Sequence, residues 1–471
     1  MSQAEAVMWT VEKDPALRSD FTNITLLEHA PDEDRLRAKV RRAVEDIPRL
    51  GQRVVSAPLR LAPPQWQADP TLDLEYHFRR VSVPPPGSMR DVLDLAALLS
   101  AAPLDRSRPL WEFTLVEGIE GGRAALLQRV HHTITDGVGG LKLSLSLVDF
   151  EADPVEPVDP DAPDVPMVLA GLVRDDERPN DARPSTLGVV TDALGFAIAR
   201  DRELFTQGLG AVAGLVAHPT SVPRRAGETA RLAGSIRRQV LVTQAARSPL
   251  LGARSLGRRF EVFSVSLDDT HRAAKALGGS LNDCYVAGVA GALGLYHERL
   301  GLPIGELRMA MPVSTRELAD AAANRFAPSR VIVPVGPDDP AARFTVVHER
   351  LACVRDEPAL AAADSLAELL AFLPTAVLVT ATRSQARTID FATSNLRGSP
   401  VDLFVGGARI LANYPMGPRA GCALNVTMLS YCGELHMGLN IDPAAVTEPD
   451  LLLDCFSESF AALHEAGRSS S

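Results

Sequence analysis

The sequence predicts an α/β protein of two domains, each a mixed β-sheet flanked by helices, joined by a long crossover. Three observations predict it. Helix-period and strand-period patterns alternate over residues 1–150; proline and acid replace both patterns over 151–187; and the mixed pattern returns over 188–471. At 471 residues the chain is long enough for two full cores.

In chain order, Asp32 to Ile47 reads as an amphipathic helix, with Leu36, Val40 and Val44 at four-residue spacing. From Leu110 to Val116, Trp111, Phe113 and Leu115 alternate with Glu112 and Thr114, a strand pattern. Gly118, Gly121 and Gly122 supply a turn, and Arg123 to His132 completes a hairpin. Leu141 to Phe150 fits a strand by its alternating leucines and a helix by Leu141, Leu145 and Val148.

The crossover holds ten acidic residues, three arginines and seven prolines. Pro154, Pro157, Pro160, Pro163 and Pro166 keep the three-residue register of polyproline II. A helical, arginine-bearing entry segment follows from about Gly188. Helices are then expected over Asp269 to Leu277 and Asn282 to Leu300, and strands over Met309 to Val313, Arg330 to Val335, Val401 to Val405 and Leu424 to Ser430.

With 46% hydrophobic and 23% charged residues the chain is neither disordered nor fibrous. Its net charge of −11 lacks the basic footprint that bulk nucleic-acid binding requires. The balance is uneven, however. Residues 151–187 contribute −7, whereas Pro223 to Phe260 carries nine arginines against Glu228 alone. That segment suits phosphates, of a cofactor or of anionic lipid headgroups, and equally a solvated helix face.

The five cysteines, Cys284, Cys353, Cys422, Cys432 and Cys455, form no CxxC pair and fit a reduced, cytoplasmic setting without a zinc site. Met1 to Trp9 lacks the basic and apolar regions of a secretory leader, so none is expected. Leu204 to Ala217 and Leu369 to Thr382 are uncharged but too short to span a bilayer. Contact with membranes or lipid droplets is therefore expected to be peripheral.

The sharpest signal is His131-His132-Thr133-Ile134-Thr135-Asp136-Gly137. Consecutive strand side chains face opposite sides, so one histidine enters the core and the other reaches a cavity. Neutral imidazole is the natural general base near pH 7. Asp136-Gly137 suits a tight turn. The bland alternative is a strand end with one satisfied core histidine.

These residues match the signature of the coenzyme A-dependent acyltransferase superfamily, which includes chloramphenicol acetyltransferase and peptide-synthetase condensation domains. Further segments narrow the resemblance. Pro109-Leu110-Trp111, Asn282-Asp283, Met311 to Arg316, Asn324-Arg325, Thr393-Ser394-Asn395, Gly406 to Arg409, Tyr414 to Gly417 and Gly421 to Thr427 fall in the order found in the bacterial wax ester synthase/diacylglycerol acyltransferase family. Four departures stand out. Ser2-Gln-Ala-Glu5-Ala6 replaces the usual Ser-x-x-Asp-Ala, although Glu12 keeps its place. Pro249-Leu250-Leu251 replaces Pro-Leu-Asn, and Arg397 and Ser399 occupy a loop usually rich in proline and glycine.

The resemblance implies two chloramphenicol acetyltransferase-like domains with the active-site tunnel between them. It implies acyl-CoA as co-substrate, with no permanently bound cofactor and no metal. A long-chain acyl group would pass directly to diacylglycerol or a long-chain alcohol. His132 would be the base, His131 the residue that orients the motif, and Asp136 and Gly137 its structural end. Asn282, Ser394 and Asn395 are oxyanion candidates that serve equally as turn or cap residues. Asp283 is expected at a helix cap or the domain interface, Trp111 in the core or along the acyl channel, and Arg258 and Arg259 on CoA phosphates. The alternatives are a natural-product acyltransferase fed by a carrier protein, and a lipid-binding protein without catalysis.

Overall fold

The structure is a computed structural model that describes residues 1–56, 64–134, 143–154, 247–314, 326–336, 339–355 and 375–470. Most of the crossover, the segment 204–217, the arginines from Arg224 to Arg238, and Asp136, Gly137, Arg316, Asn324 and Arg325 lie outside the described residues.

The strands, in chain order, are β1 (Asp20–Leu27), β2 (Gln52–Val55), β3 (Gln65–Ala68), β4 (Phe78–Ser82), β5 (Trp111–Ile119), β6 (Arg123–His131), β7 (Arg259–Ser266), β8 (Glu306–Ser314), β9 (Phe326–Pro334), β10 (Phe391–Arg397), β11 (Phe404–Val405), β12 (Ala408–Met416), β13 (Leu424–Tyr431) and β14 (Glu434–Ile441). They form two six-stranded mixed sheets and the small ribbon β2–β3.

The first sheet runs β11–β12–β1–β6–β5–β4. Helix α1 (Gln3–Val11) precedes it, and α2 (Glu33–Asp46) and α3 (Met89–Ala101) cover its faces. The expected helix over 32–47 is α2, with Asp32 capping the Arg35 N–H and Leu36, Val40 and Ala43 buried. The expected hairpin is β5–β6, paired antiparallel from Trp111↔Val130. In 141–150 the described part is 143–150, of which 143–147 is helical, while Asp149 bridges Phe404 of β11. The helical part buries Leu143 and Leu147, one turn apart, in the core of this sheet.

The second sheet runs β7–β14–β13–β10–β8–β9, with β10 parallel to both neighbours. Helices α4 (Leu267–Ala276), α5 (Leu281–Arg299), α6 (Pro340–Arg355) and α8 (Pro449–Ser469) flank it, while α7 (Thr375–Ala386) packs on α1. Helix α5 is buried nearly all round, which leaves no room for side chains at its contact points. A Cβ on Gly294 would lie 1.9 Å from the Val335 carbonyl oxygen. The strand expected over 401–405 is shorter than its sequence suggests. Ser399 bonds both the N–H and the carbonyl of Val401, making a turn, and only Phe404–Val405 is extended.

The chain links the sheets where β12 leaves the first and β13 enters the second. Asn440 Nδ2 donates to the Gly417 carbonyl (2.8 Å) and Asn425 Nδ2 to that of Pro418 (2.8 Å). Gly438 lets β14 pass under β12, since a Cβ there would sit 2.2 Å from the Pro415 oxygen. Two segments singled out by sequence, Tyr414 to Gly417 and Gly421 to Thr427, thus fasten one sheet to the other.

Candidate active site

Strand β6 ends at His131, whose N–H donates to the Leu110 carbonyl (3.0 Å). The turn that follows closes with the Ile134 N–H on the His131 carbonyl (2.9 Å). The two histidines therefore leave the strand differently.

His131 is buried, at 3% exposure. Its Nδ1 accepts the Thr133 backbone N–H at 3.1 Å, so the ring proton sits on Nε2, which donates to Glu12 Oε1 at 2.8 Å. The same carboxylate oxygen accepts the Ser19 N–H (2.6 Å), and the Ser19 carbonyl accepts the His132 N–H (3.2 Å). A second brace comes from the opening segment. Ser2 and Glu5 form a capping box on α1. Glu5 also holds Arg49, whose Nη1 donates to the Thr133 carbonyl (2.8 Å). Helix α1, with its C-cap residue Glu12, thus braces the histidine motif at His131 and at Thr133.

His132 is only partly buried. Its ring packs at 5.0 Å on Phe21 of β1 and has no hydrogen-bond partner among the described residues. Burial lowers its pKa to about 4, against the opposing pull of Glu12 and Asp20. At neutral pH it is an uncharged imidazole with a lone pair to offer. On the same face of β1 as Phe21, Asn23 donates to Gln128 Oε1 (3.0 Å) and Thr25 to Asn413 Oδ1 (3.4 Å), a polar row beside the histidine.

Beneath the pair lies a charged knot. Asp20, opposite His131 in the ladder, accepts from Arg129 Nε (3.0 Å) and Nη2 (2.9 Å) and from Arg258 Nη1 and Nη2 (both 3.3 Å). Burial alone would raise its pKa, but Arg258, Arg129 and Arg18 hold it below the ordinary aspartate value. Arg258 belongs to the second half of the chain, so this knot ties the halves together beside the motif.

The other expected residues fall into two groups. Asn282 and Asn395 meet, with Asn395 Nδ2 donating to Asn282 Oδ1 at 3.3 Å, and Ser394 precedes Asn395 on β10. Asp283 caps α5 in a capping box with Ser280 and receives His348 Nδ1 (2.8 Å). Trp111 is fully buried, stacked on His77 at 4.6 Å with its indole N–H on the Leu50 carbonyl (2.9 Å), and all these contacts are those of a core residue. Arg259 pairs with Glu261 (2.7 Å) and Asp450 (3.4 Å). Sequence reasoning missed Glu5, Arg49, Asp20 and Arg129. Only Glu5 carried a signal, the Ser-x-x-Glu spacing of a capping box.

Among the described residues, no three His, Cys, Asp or Glu side chains gather as metal ligands, and no helix is long and apolar enough to cross a membrane.

Residues 1–285 match the sequence profile of the wax ester synthase/diacylglycerol acyltransferase catalytic domain, and residues 322–464 that of the WS/DGAT C-terminal domain. A Mycobacterium tuberculosis protein that goes by the name of a diacylglycerol O-acyltransferase is 38% identical over 469 residues, covering 98% of this chain and 90% of its own. A second from that organism, similarly named, is 30% identical over 438 residues, covering 90% and 87%. Among solved structures, the wax ester synthase/diacylglycerol acyltransferase from Marinobacter aquaeolei VT8 superposes with a TM-score of 0.61 at 21% identity, over 99% of this chain and 98% of that one. The first condensation domain of the calcium-dependent antibiotic synthetase gives 0.58 at 17%, over 98% and 96%. Both share the two-domain chloramphenicol acetyltransferase-type fold.

Proposed function

Because the chain belongs to the wax ester synthase/diacylglycerol acyltransferase family, we propose that it moves a long-chain acyl group from acyl-CoA to the hydroxyl of a diacylglycerol or a long-chain alcohol, with His132 as the general base. The observation that carries this reading is the contrast between the two histidines. His131 is fixed on Glu12 and Thr133, while the neutral ring of His132 has no partner among the described residues.

His132 takes the hydroxyl proton as the oxygen attacks the thioester carbonyl. The new C–O bond forms, the C–S bond breaks, and the imidazolium returns the proton to the departing thiolate. A histidine that titrates at about 4 gives up that proton readily, because a thiol binds one far more tightly, with a pKa of about 8.5 for cysteine. The developing oxyanion needs preorganised donors, and Asn282, Ser394 and Asn395 are the candidates. His131 positions the motif. Burying its ring beside Glu12 supports that role, as the knot at Asp20 supports the backbone beneath it.

The test is thiol release from palmitoyl-CoA with dioleoylglycerol, with hexadecanol and with no acceptor. Release that depends on either alcohol supports the reading. Release only from an acyl carrier protein would transfer the chain to the carrier-dependent alternative, and no release from any donor would leave a lipid-binding protein.

A further inference from the structure

Next to the histidine motif, two small adjoining clefts open to solvent between the start of β1, the loop before β7 and the turn between β12 and β13. Six arginines line them, Arg18, Arg254, Arg258, Arg383, Arg387 and Arg419, and the one carboxylate in their walls is Asp442. Three of the six have acidic partners. Arg258 is on Asp20, Arg383 Nη1 lies 3.1 Å from Asp14, and Arg419 Nη1 lies 2.8 Å from Asp442.

The other three form no ion pair among the described residues, although Asp20 and Glu12 act on the charge of Arg18 from nearby. Arg254 is held by the carbonyls of Gly421, Leu251, Ala253 and Ile389. Arg18 is held by those of Pro15 (3.3 Å) and Ala101 (2.8 Å), and its buried Nη1 has no hydrogen-bond partner. An unsatisfied buried donor on a cation is costly, and folds keep such groups where something else completes them. Burial lowers the pKa of Arg18, Arg254 and Arg419, and the nearby carboxylates, Asp20 and Glu12 beside Arg18 and Asp442 beside the other two, offset it only in part.

A group that completes this set is small, multiply negative and rich in acceptors, which describes a phosphate. The place matters as much as the chemistry. Arg18 immediately precedes Ser19, whose carbonyl holds the His132 N–H, so an anion here sits at the shoulder of the proposed base.

We propose that the clefts under Arg18, Arg258 and Arg419 form a phosphate site that takes the phosphates of the CoA portion of the acyl donor. The proposal rests on the acyl-CoA reading and deepens it by naming where the donor is gripped. Arg258 and Arg18 then link donor binding to the strand that carries the motif.

The experiment compares palmitoyl-CoA with the palmitoyl thioester of N-acetylcysteamine, which has no phosphate, in wild type, Arg18→Gln and Arg387→Gln. Both variants are expected to lower the preference for the CoA donor about tenfold, the worth of a charge-assisted hydrogen bond. Arg272→Gln, an exposed arginine outside both clefts, should keep the wild-type preference. Calorimetric titration of the wild-type protein with adenosine 3′,5′-bisphosphate should show binding that inorganic phosphate competes away and that Arg18→Gln loses. An unchanged donor preference in both variants overturns the proposal. So does flotation with phosphatidylglycerol vesicles that is lost in Arg18→Gln while the donor preference stays, which would assign the site to a lipid headgroup. If no thioester is turned over by any form, the acyltransferase reading fails, and the bisphosphate titration still decides the site.

Discussion

Glu12 Oε1 accepts the Nε2 proton of His131 at 2.8 Å, joining residues 119 positions apart in sequence. The same oxygen caps the Ser19 N–H, so one carboxylate fixes the first histidine's tautomer and, through Ser19, the backbone of the second.

Glu12→Ala strands a buried imidazole N–H and a backbone N–H together. The expected cost is about 3 kcal/mol of unfolding free energy. Glu12→Gln keeps an acceptor oxygen and should cost less than half as much. Urea unfolding of the two variants measures the difference, and equal losses would rule out the bond as the reason.

Asp20 is the buried anion between Arg129 and Arg258. Asp20→Asn removes one partner of a buried ionic network, at an expected cost of about 3 kcal/mol at pH 7. Because the native pKa is depressed, the aspartate's contribution is present above its unfolded value of about 3.9 and is lost as pH falls through the lower native value. The gap between wild type and Asp20→Asn should therefore narrow below about pH 4 in chemical denaturation.

His132 has the opposite relation to acid from a salt-bridged histidine. The unfolded chain binds its proton at about 6.5 and the native site only at about 4. Between those values the unfolded state holds more protons, so this residue's contribution to stability falls as pH drops through that window. The acid limb of kcat/KM for the free enzyme should likewise lie near pH 4, far below the limb at about 6.5 that an ordinary histidine gives. A pH–rate profile bending near 6.5 would contradict a base held neutral by desolvation.

Gly294→Ala places a Cβ 1.9 Å from the Val335 oxygen and forces α5 away from the end of β9. A loss of about 3 kcal/mol or failure to accumulate folded protein is expected, and a thermal melt that matches wild type would contradict this packing.

The amphipathic helix over 32–47, the β5–β6 hairpin and the histidine motif were legible because each carries a period or a rare cluster of residue types. β1 was not, although it lies at the centre of the first sheet. Its buried positions include Asp20, Thr22 and Thr25, so polar residues satisfied by Arg129, Ser100 and Asn413 hide the alternation that marks a strand. The same reason hid Asp20 as a site residue, since its partners lie 109 and 238 positions away. Trp111 shows the converse. The segment was recognisable, yet only the fold shows that it meets the motif through its backbone, by way of the Leu110 carbonyl.

The most direct test is the rate of palmitoyl-CoA thiol release with dioleoylglycerol or hexadecanol for His132→Ala against wild type, in protein whose unfolding transition is unchanged. Removal of the general base should lower kcat by about 100-fold or more with both acceptors. Equal rates for the two proteins would contradict His132 as the base.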